Sequence, residues 1–480
     1  MAKIMKKMII SKTKGTILAS LLLLLVAIGC ERSVDGLAEP QLTSNPEVFI
    51  DTFSPGLEYY PYEGSVLDAF TVDSNTFFGN RGASMRFDIP NVGDPRGAFA
   101  GAIFKDENGG RNLTSFNALT FYAKGTRAGT INDIGFGQDF EGNEFEVSKR
   151  DLRLTTNWRK YTIPIPNPSV LTASKGMFWY AEGPENGEGY TFWIDELRYE
   201  FIEDLAQPRA SILGGQDVVQ TSFIGSNTQV TGMTFTANLP TGEDVTVSAA
   251  PSYFTFNSSN PSVATVDGAG RVTIVGQGEA VIRASLGGRP AAGSLTIDSQ
   301  GEFIHAPIPT EDPANVISIF SDVYPNVPVD FYNGFYAPFQ TTTSNDFSVN
   351  GDNVLGYENF NFVGIEFRTN VPTIDATNMT HLSMHIFLPN PVPAGSAFRT
   401  RIVNNVGLGS QASAEATIFA NSGAVRLVQG QWIRVLVPLS GLTDRSNLGQ
   451  IVMDSDLGTP LRGATIWVDN IYLFNANAGN

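Results

Sequence analysis

Residues that commonly carry out catalysis are few in this chain, and their spacing does not assemble a catalytic set. The 480 residues include three histidines and one cysteine. His381 and His385 are four apart, a spacing that lets two histidines on a helix bind one metal ion. The surrounding sequence THLSMHIF alternates like a strand, where positions four apart are separated by about 13 Å. No serine or cysteine has a nearby histidine partner for a nucleophilic triad. The acidic run Asp139, Glu141, Glu144 and Glu146 is typical of a solvated loop. A hydrolase is therefore the least favoured function.

Aromatic side chains are the more informative chemical groups. The segment LEYYPYEGS (57–65) and the segment DFYNGFYAPFQ (330–340) concentrate tyrosine and phenylalanine around proline and glycine, which predicts loops. Exposed aromatic rings stack on the C–H faces of pyranose sugars, while the sugar hydroxyls need a few fixed polar partners. The aromatic residues either contact such a ligand or cover the edge of a β-sandwich. The candidate glycan-binding residues are Tyr59, Tyr60, Tyr62, Trp179, Asp139, Tyr332, Phe335 and Tyr336.

The elements that must position these residues are repeated strands. Two stretches of roughly 150 residues carry the same apolar landmarks in the same order, at 49–53, 113–125, 157–165 and 192–201, and again at 319–324, 376–389, 431–439 and 466–474. Each landmark alternates apolar and polar residues with the period of a half-buried strand. In GMFWYAEG (176–183) this alternation puts Trp179 on the face opposite Phe178 and Tyr180, so Trp179 is either a platform on a sheet face or a core residue. Both copies are predicted to be all-β sandwiches.

The segment between the two copies has a different composition and a different strand pattern. Its sequence SSNPSVATVDGAGRVTIVGQGEAVIRAS (258–285) combines short Val, Thr and Ala strands with glycine turns. It resembles the bacterial immunoglobulin-like group 2 domain, which implies an Ig-like β-sandwich that acts as a spacer or an adhesive module. The predicted divisions are a signal peptide at 1–29, a flexible tether at 30–47, sandwiches at 48–203 and 315–475, the Ig-like domain at 208–298 and a linker at 299–314.

Both flanking copies resemble the jelly-roll (galactose-binding-like) carbohydrate-binding modules of bacterial glycoside hydrolases. The first, through GFGQDF (135–140), GMFWYAEG (176–183) and GYTFWIDE (189–196), resembles surface glycan-binding lipoproteins of Bacteroidetes polysaccharide-utilisation systems, and the second resembles the module that trails laminarinases. The resemblance implies a non-catalytic protein that captures a polysaccharide, with laminarin-type β-1,3-glucan as the first expectation. It also implies an outer-membrane transporter and surface hydrolases as partners. The alternative is a structural or adhesive surface protein without sugar binding.

The N-terminus and the charge point to the cell surface and away from nucleic acid. Five lysines precede an apolar run from Ile17 to Ile28, and Cys30, the sole cysteine, follows Gly29. This segment resembles a bacterial lipoprotein signal, which implies cleavage before Cys30 and a lipid there; an ordinary secretory signal is the alternative. The expected location is the outer membrane, facing the exterior. The net charge of −17 becomes −22 without residues 1–29, which disfavours nucleic acid and strongly acidic polymers unless a local basic patch exists.

Two pairs of aspartates occupy the first and last strands of the two copies. The pair of the first copy is Asp51 and Asp195, and the pair of the second copy is Asp322 and Asp469. The jelly-roll resemblance implies a structural calcium where these strands meet, and carboxylates are ligands that calcium prefers. The other interpretation is that each aspartate caps a turn or faces solvent.

Overall fold

The computed structural model describes residues 42–80, 82–404, 412–455 and 460–477, and these form β-structure throughout. The predicted signal peptide, Cys30 and most of the predicted tether lie outside these residues. The helical elements of the described part are the 3-10 turns Pro168–Val170, Leu213–Gly215, Pro251–Tyr253, Pro313–Asn315 and Leu439–Gly441. None of the described helices is long and apolar enough to cross a membrane. The all-β prediction is confirmed.

The first sandwich consists of two antiparallel sheets. Its strands are β1 (Glu47–Ile50), β2 (Thr52–Phe53), β3 (Leu57–Pro61), β4 (Phe70–Asp73), β5 (Ser84–Asp88), β6 (Ala100–Asp106), β7 (Ala118–Gly125), β8 (Gly129–Phe136), β9 (Val147–Leu154), β10 (Arg159–Pro164), β11 (Gly176–Glu182) and β12 (Thr191–Glu200). Sheet A1 has the order β10-β7-β12-β1-β2, with β5 also beside β12 and β4 beside β5. Sheet B1 has the order β9-β8-β11-β6-β3. The core between them is rich in aromatic rings such as Phe87, Phe104 and Phe178.

The middle region is an Ig-like arrangement that shares a sheet with the first sandwich. Its strands are β13 (Ala206–Ser211), β14 (Asp217–Ser222), β15 (Asn227–Gln229), β16 (Thr234–Asn238), β17 (Asp244–Ala249), β18 (Phe254–Ser258), β19 (Ala264–Val266), β20 (Arg271–Ile274), β21 (Gly278–Leu286), β22 (Arg289–Pro290) and β23 (Ser294–Ser299). Strand β17 pairs with β9 through Ser248–Ser148 and Ala249–Val147, which adds β17, β16 and β13 to sheet B1. One continuous core cluster spans both units. The middle region is therefore fixed to the first sandwich and is not a swinging spacer.

The second sandwich repeats the topology of the first. Its strands are β24 (Val316–Phe320), β25 (Thr343–Ser344), β26 (Phe347–Val349), β27 (Asp352–Glu358), β28 (Phe362–Glu366), β29 (His381–Phe387), β30 (Ala397–Asn404), β31 (Ser413–Phe419), β32 (Trp432–Pro438), β33 (Leu448–Asp454) and β34 (Ile466–Phe474). Sheet A2 has the strand order β32-β29-β34, and β24 and β27 also lie beside β34. Sheet A1 has the matching order β10-β7-β12, with β1 and β5 beside β12. Sheet B2 runs β31-β30-β33-β28, matching β9-β8-β11-β6.

A β-bulge recurs at the same place in both copies. In β12 the register shifts between Asp195 and Arg198, and Glu196 has a positive φ of 51°. In β34 the residue after Asp469 is Asn470, whose φ is 53°, and the register also shifts there. A bulge re-aims side chains because two residues oppose one on the partner strand. The aspartate just before the bulge is only 2% exposed in both copies.

An aromatic cluster joins the middle region to the second sandwich, and we call it the junction cluster. It contains Phe223 of the middle region, Phe303 of the segment between them, and Phe347, Trp432 and Trp467 of the second sandwich. The Trp432 indole N–H donates to the carbonyl of Ile304 at 2.5 Å. The two tryptophans lie outside the main core of the second sandwich, and they pack in the junction cluster. Residues 299–314 are thereby held against the sandwich, with Phe303 only 6% exposed.

Candidate functional site

Sheet B1 turns one face away from the core, and strand alternation decides which side chains lie on it. Phe178 and Tyr180 point into the core, whereas Trp179 belongs to the opposite face, as the sequence predicts. Trp179 faces Ile103 on β6 and Gly135 on β8. We call this surface the first outer face.

Aromatic rings on the first outer face lie over glycines. A Cβ at Gly101 would meet the ring of Tyr62 at 2.8 Å, and one at Gly135 would meet the indole nitrogen of Trp179 at 3.0 Å. The absence of a side chain at Gly101 lets the Tyr62 ring lie close to the sheet, whereas at Gly135 an added Cβ would first meet the backbone carbonyl of Val147. Trp179 donates to the carbonyl of Phe136 at 3.3 Å and is only 4% exposed. The most exposed rings of this face are Tyr60, 37% exposed, and Phe140, 59% exposed, which contacts Tyr60 edge-on at 6.1 Å between centroids, while Tyr62 is partly exposed.

Polar groups surround these rings on the first outer face. Gln138 accepts a short hydrogen bond from the Tyr62 hydroxyl, and its amide donates to Glu146 at 2.8 Å. Asp133 accepts from the Ser148 hydroxyl and lies 3.4 Å from the Arg150 guanidinium. The face thus presents aromatic rings beside carboxylate, amide and guanidinium groups, a combination that suits a polyhydroxylated ligand.

Sheet B2 has a corresponding surface, which we call the second outer face. Val363, Ile365, Ile451 and Met453 point into the core. The alternate positions form cross-strand rows on the other side. One row is Phe362, Asp454, Arg399 and Thr417; the next is Gly364, Val452, Arg401 and Glu415; and the third begins with Glu366 and Gln450.

Tyr336 is the central aromatic residue of the second outer face. A Cβ at Gly364 would meet its hydroxyl at 2.7 Å, so the ring lies directly over this glycine. Its hydroxyl makes a short hydrogen bond to Glu366 and accepts one from the Gln450 amide at 2.9 Å. Its ring stacks with Phe362 at a centroid separation of 5.9 Å. Burial and the Glu366 carboxylate raise the pKa of Tyr336. The ring is therefore held in one position by its surroundings.

Guanidinium groups lie along the same surface. The Nε of Arg399 donates to Asp454 at 3.1 Å, and Arg401 donates to the other oxygen of that carboxylate at 3.0 Å. The side chains of Arg399 and Arg401 remain 23% and 35% exposed. Planar guanidinium groups fixed by a carboxylate are preorganised donors for ligand oxygens. Two further rings, Phe335 and Phe339, are 65% and 76% exposed in the adjoining segment.

The two aromatic segments occupy the same edge of their sandwiches. Residues 57–61 form strand β3, which pairs with β6, and Phe331 forms a bridge to Glu366 at the edge of β28. The prediction that 57–65 is a loop is therefore wrong for 57–61, since backbone pairing with β6 outweighs the local effect of Pro61. Alternation along β3 sends Tyr59 inward against Phe70 and Phe104, both 5.3 Å away between centroids.

Other predicted site residues have structural contacts. Tyr332 donates to the carbonyl of Ile319 at 2.9 Å and packs against the core of the second sandwich. Asp139 accepts backbone hydrogen bonds from Glu141 and Asn143, which close the turn that carries Phe140. The structure thus brings Tyr60 and Tyr62 to the first outer face and Tyr336 to the second, while Phe335 is exposed in the adjoining segment. The glycan-binding role of all eight residues stays a prediction.

Several residues of the outer faces were not singled out from the sequence. They are Phe140, Phe362, Glu366, Arg399, Arg401, Gln450 and Asp454. Alternation in FVGIE (362–366) and AFRTRIVN (397–404) contains the relevant signal, because the polar positions must face away from the core. Their assembly into one surface depends on register between strands far apart in sequence.

The predicted aspartate pairs lie close enough to affect one another electrostatically. Burial raises the pKa of Asp195, and the charge of Asp51 adds to the effect. Burial raises the pKa of Asp469 to about 7, with Asp352 and Asp322 contributing. Asp322 accepts from the backbone and side-chain nitrogens of Asn353 at 2.6 and 2.7 Å. Within the described ranges, no three or more His, Cys, Asp and Glu residues are arranged to hold a metal ion. Calcium stays a prediction.

The histidines have separate environments. His381 and His385 lie on β29, which confirms the predicted strand. The His381 ring stacks on Phe474 at 5.4 Å. Burial lowers the pKa of His385 to about 4, and the Arg434 charge contributes.

Glu182 is a buried acid at the end of β11 and makes the stability of the first sandwich depend on pH. It is 2% exposed and accepts hydrogen bonds from the Asn132 backbone and from the Tyr190 hydroxyl at 3.1 Å. Burial raises its pKa from 4.5 to about 7. A folded-state pKa above the unfolded value means that the protonated form is stabilised by folding. Its contribution is complete below pH 4.5 and is lost as the pH rises toward 7, by roughly 3 kcal/mol in total.

Glu182→Gln is therefore expected to remove this pH dependence. Denaturant unfolding at pH 4.5, 5.5, 6.5 and 7.5 should show that the variant gains stability relative to the parent chain as the pH rises. Glu63→Gln, an exposed site in the same sandwich, is the control and should track the parent chain. A constant difference between Glu182→Gln and the parent at all four pH values would show that Glu182 titrates normally.

One family model matches part of the middle region. A family model of the immunoglobulin-like domain of intimin matches residues 248–288, within the predicted Ig-like domain. No match to the chain is found among curated proteins.

Similar solved structures are carbohydrate-binding modules. A family 30 module of a cellulosomal cellulase of Clostridium thermocellum is 17% identical, with a TM-score of 0.26, covering 33% of this chain and 99% of that one. A family 22 tandem from Paenibacillus barcinonensis is 10% identical, with a TM-score of 0.23, covering 92% and 99%. A family 11 module from Clostridium thermocellum, solved with a β-1,3-1,4-mixed-linked tetrasaccharide, is 18% identical, with a TM-score of 0.20, covering 30% and 87%.

Proposed function

We propose that this protein is a non-catalytic glycan-binding protein whose second outer face is the principal ligand site. The observation that carries the proposal is the Tyr336 ring, laid over Gly364 and fixed by Glu366, Gln450 and Phe362. A ring held in one position over a sheet can stack on the C–H face of a sugar with little loss of side-chain entropy on binding. The neighbouring Arg399 and Arg401 supply donors for hydroxyl oxygens.

The first outer face is proposed as a second site for the same polymer. Tyr62 lies over Gly101 as Tyr336 lies over Gly364, at the matching edge of a matching sheet. Two sites on one chain raise the apparent affinity for a polymer that reaches both, by about 10² or more when the spacing allows it. Laminarin-type β-1,3-glucan is the ligand to test first.

The cell-surface part of the proposal rests on the sequence. The N-terminal segment and Cys30 support a lipid-anchored protein at the outer membrane, facing outward. In that setting the protein would hold a polysaccharide for a transporter and surface hydrolases encoded elsewhere. A structural or adhesive role is the alternative, and it predicts that no glycan is retained.

Substitution of Tyr336 tests the principal site. Tyr336→Ala is expected to weaken glycan binding about tenfold or more, because loss of one stacked ring corresponds to about 1.4 kcal/mol or more of binding energy. Tyr336→Phe keeps the ring and should retain most of the affinity. The measurement is affinity electrophoresis of the soluble chain in gels containing laminarin, mixed-linkage glucan, xylan, mannan or alginate.

Phe201→Ala is the matched control, because Phe201 is an aromatic residue that is 68% exposed and lies beyond the end of β12, off both outer faces. Its mobility in each gel should equal that of the parent chain. Equal retention of parent, Tyr336→Ala and Phe201→Ala would remove the second outer face as the site. Failure of every glycan to retard the parent chain would favour the adhesive alternative. Release of reducing ends from any of the polymers would contradict the non-catalytic assignment.

A further inference from the structure

A groove lies where the first sandwich meets the middle region, away from both outer faces. Its cavity volume is about 430 Å³. The walls come from three elements: strand β9, strand β10, and the hairpin formed by β16 and β17. This volume falls in the range of small-ligand sites in proteins. Because β17 pairs with β9, the two units that line the groove are held together by backbone hydrogen bonds.

Cationic side chains concentrate in this groove although the chain as a whole has a net charge of −17. Four cations line it, against the carboxylates of Asp151 and Glu243, and they are Lys149, Arg153, Arg159 and Lys160. Such a local reversal of sign in an acidic protein is the basic patch that would attract an anion.

Ion pairing inside the protein accounts for only two of the four cations. Arg159 lies 2.9 Å from Glu243, and Lys160 lies 2.7 Å from Glu200. Lys149 donates to the carbonyl of Arg150 at 3.0 Å. Within the part of the chain that the structure describes, neither Lys149 nor Arg153 has a carboxylate within 4 Å. Among the described residues, Lys149 and Arg153 are thus two positive charges without an ion-pair partner, against the single carboxylate of Asp151, so the groove keeps a net positive charge for an external partner.

Tyr161 supplies an aromatic wall at fixed orientation. Its hydroxyl donates to the carbonyl of Arg153 at 2.6 Å, and the Arg159 guanidinium lies 5.6 Å from its ring centroid. The Tyr161 ring also stacks on Phe121 of the core, at 5.6 Å between centroids. The groove therefore combines a ring, a guanidinium stacked on it, and two cations without a carboxylate partner.

From this arrangement we infer that the groove is an anion site that binds an acidic group on a glycan, a sugar carboxylate or a sulfate ester. Guanidinium and ammonium donors form their strongest hydrogen bonds with such oxyanions. A neutral sugar would leave Lys149 and Arg153 without a charged partner. The site is independent of the two outer faces, and it means that the protein recognises acidic substituents as well as a neutral backbone.

Isothermal titration calorimetry of the soluble chain at low salt tests the inference. The probes are a glucuronate-containing oligosaccharide, a sulfated oligosaccharide, a neutral gluco-oligosaccharide of equal length, and inorganic sulfate as the free anion. The double variant Lys149→Gln/Arg153→Gln is expected to bind the preferred acidic oligosaccharide at least tenfold more weakly, with affinity for the neutral one unchanged. Glu243→Gln should bind the acidic oligosaccharide severalfold more tightly, because it removes the carboxylate that competes for Arg159.

The matched control is Arg271→Gln/Arg283→Gln, which changes the net charge equally at exposed positions of the middle region. An equal loss of affinity in this control would reduce the effect to overall charge and overturn the site. No binding of either acidic probe by the parent chain would overturn it as well. Loss of acidic binding in Tyr336→Ala but not in Lys149→Gln/Arg153→Gln would assign the acidic group to the second outer face instead. Because Glu243→Gln predicts a gain, unfolding of a variant cannot mimic that result.

Discussion

Arg111→Met is expected to destabilise the first sandwich by about 3–5 kcal/mol, the largest loss that we predict for a single substitution. Arg111 is 1% exposed and its Nε donates to Asp106 at 2.7 Å. Its other nitrogens donate to the Ser54 hydroxyl at 2.9 Å and to the backbone carbonyls of Asn45 and Glu47. One planar guanidinium therefore fastens β1 and the chain before it to β6. Methionine leaves Asp106 buried and without its cationic partner.

The expected loss of stability comes from the unpaired, buried carboxylate of Asp106 rather than from the ion pair itself. Desolvation of two charges offsets most of their attraction, so a buried ion pair changes the free energy of unfolding little. A single buried charge without its partner lowers that free energy strongly. The double variant Arg111→Met/Asp106→Leu should therefore recover much of the stability lost in Arg111→Met. Arg111→Lys should remain destabilised, because an ammonium cannot reach Asp106, Ser54 and the two carbonyls together.

Denaturant unfolding followed by circular dichroism checks this prediction, with Arg96→Met as the control. Arg96 also pairs with an aspartate, Asp94 at 2.9 Å, but its side chain is 60% exposed, so no measurable change is expected. If Arg111→Met and the double variant were equally destabilised, lost packing and not the lone carboxylate would be the cause.

Strand alternation was enough to predict the fold class and the face of each residue in the middle of a strand. Trp179 lies opposite Phe178 and Tyr180 because pleating permits no other arrangement in a regular strand. The same rule fails where a strand is irregular. Asp195 and Asp469 lie at such a place, because the register of each strand shifts at the bulge that follows the aspartate. Tyr59 obeys the rule and points inward, but 57–61 was predicted to be a loop, so the rule was not applied there.

Contacts between distant segments could not be predicted from local pattern. Arg111 is polar and lies in a polar stretch, yet it is buried because acceptors from 45–54 converge on it. The pairing of β17 with β9 depends on two strand edges that are about a hundred residues apart, and no local signal encodes it. For the same reason the second outer face was predicted only through Tyr336. Its arginines and carboxylates meet across strands β28, β33 and β30.

Trp467→Ala is expected to open the junction cluster and expose Phe303 to proteolysis. The Trp467 ring stacks on Phe387 at 4.9 Å and contacts Phe223 and Phe347 edge-on, both at 5.3 Å. Because these rings come from the middle region and from the second sandwich, the tryptophan is the shared packing surface between them. Loss of a partly buried aromatic residue at such a position costs about 2 kcal/mol, less than the 3–5 kcal/mol of a fully buried one.

That loss raises the population of the opened junction about thirtyfold, since each 1.4 kcal/mol is a factor of ten in an equilibrium constant. Phe303 is 6% exposed, so chymotrypsin can cut after it only when the junction opens. When closing is fast relative to cleavage, the cleavage rate follows the open population and should rise by the same factor.

Trp193→Ala is the matched control, because Trp193 donates to Asp73 within the first sandwich and has no contact with the junction. Cleavage after Phe303 at the parent rate in Trp467→Ala would mean that Trp432 and the fixed 299–314 segment hold the junction without it. A thirtyfold rise would show that the packing of one indole holds the junction closed.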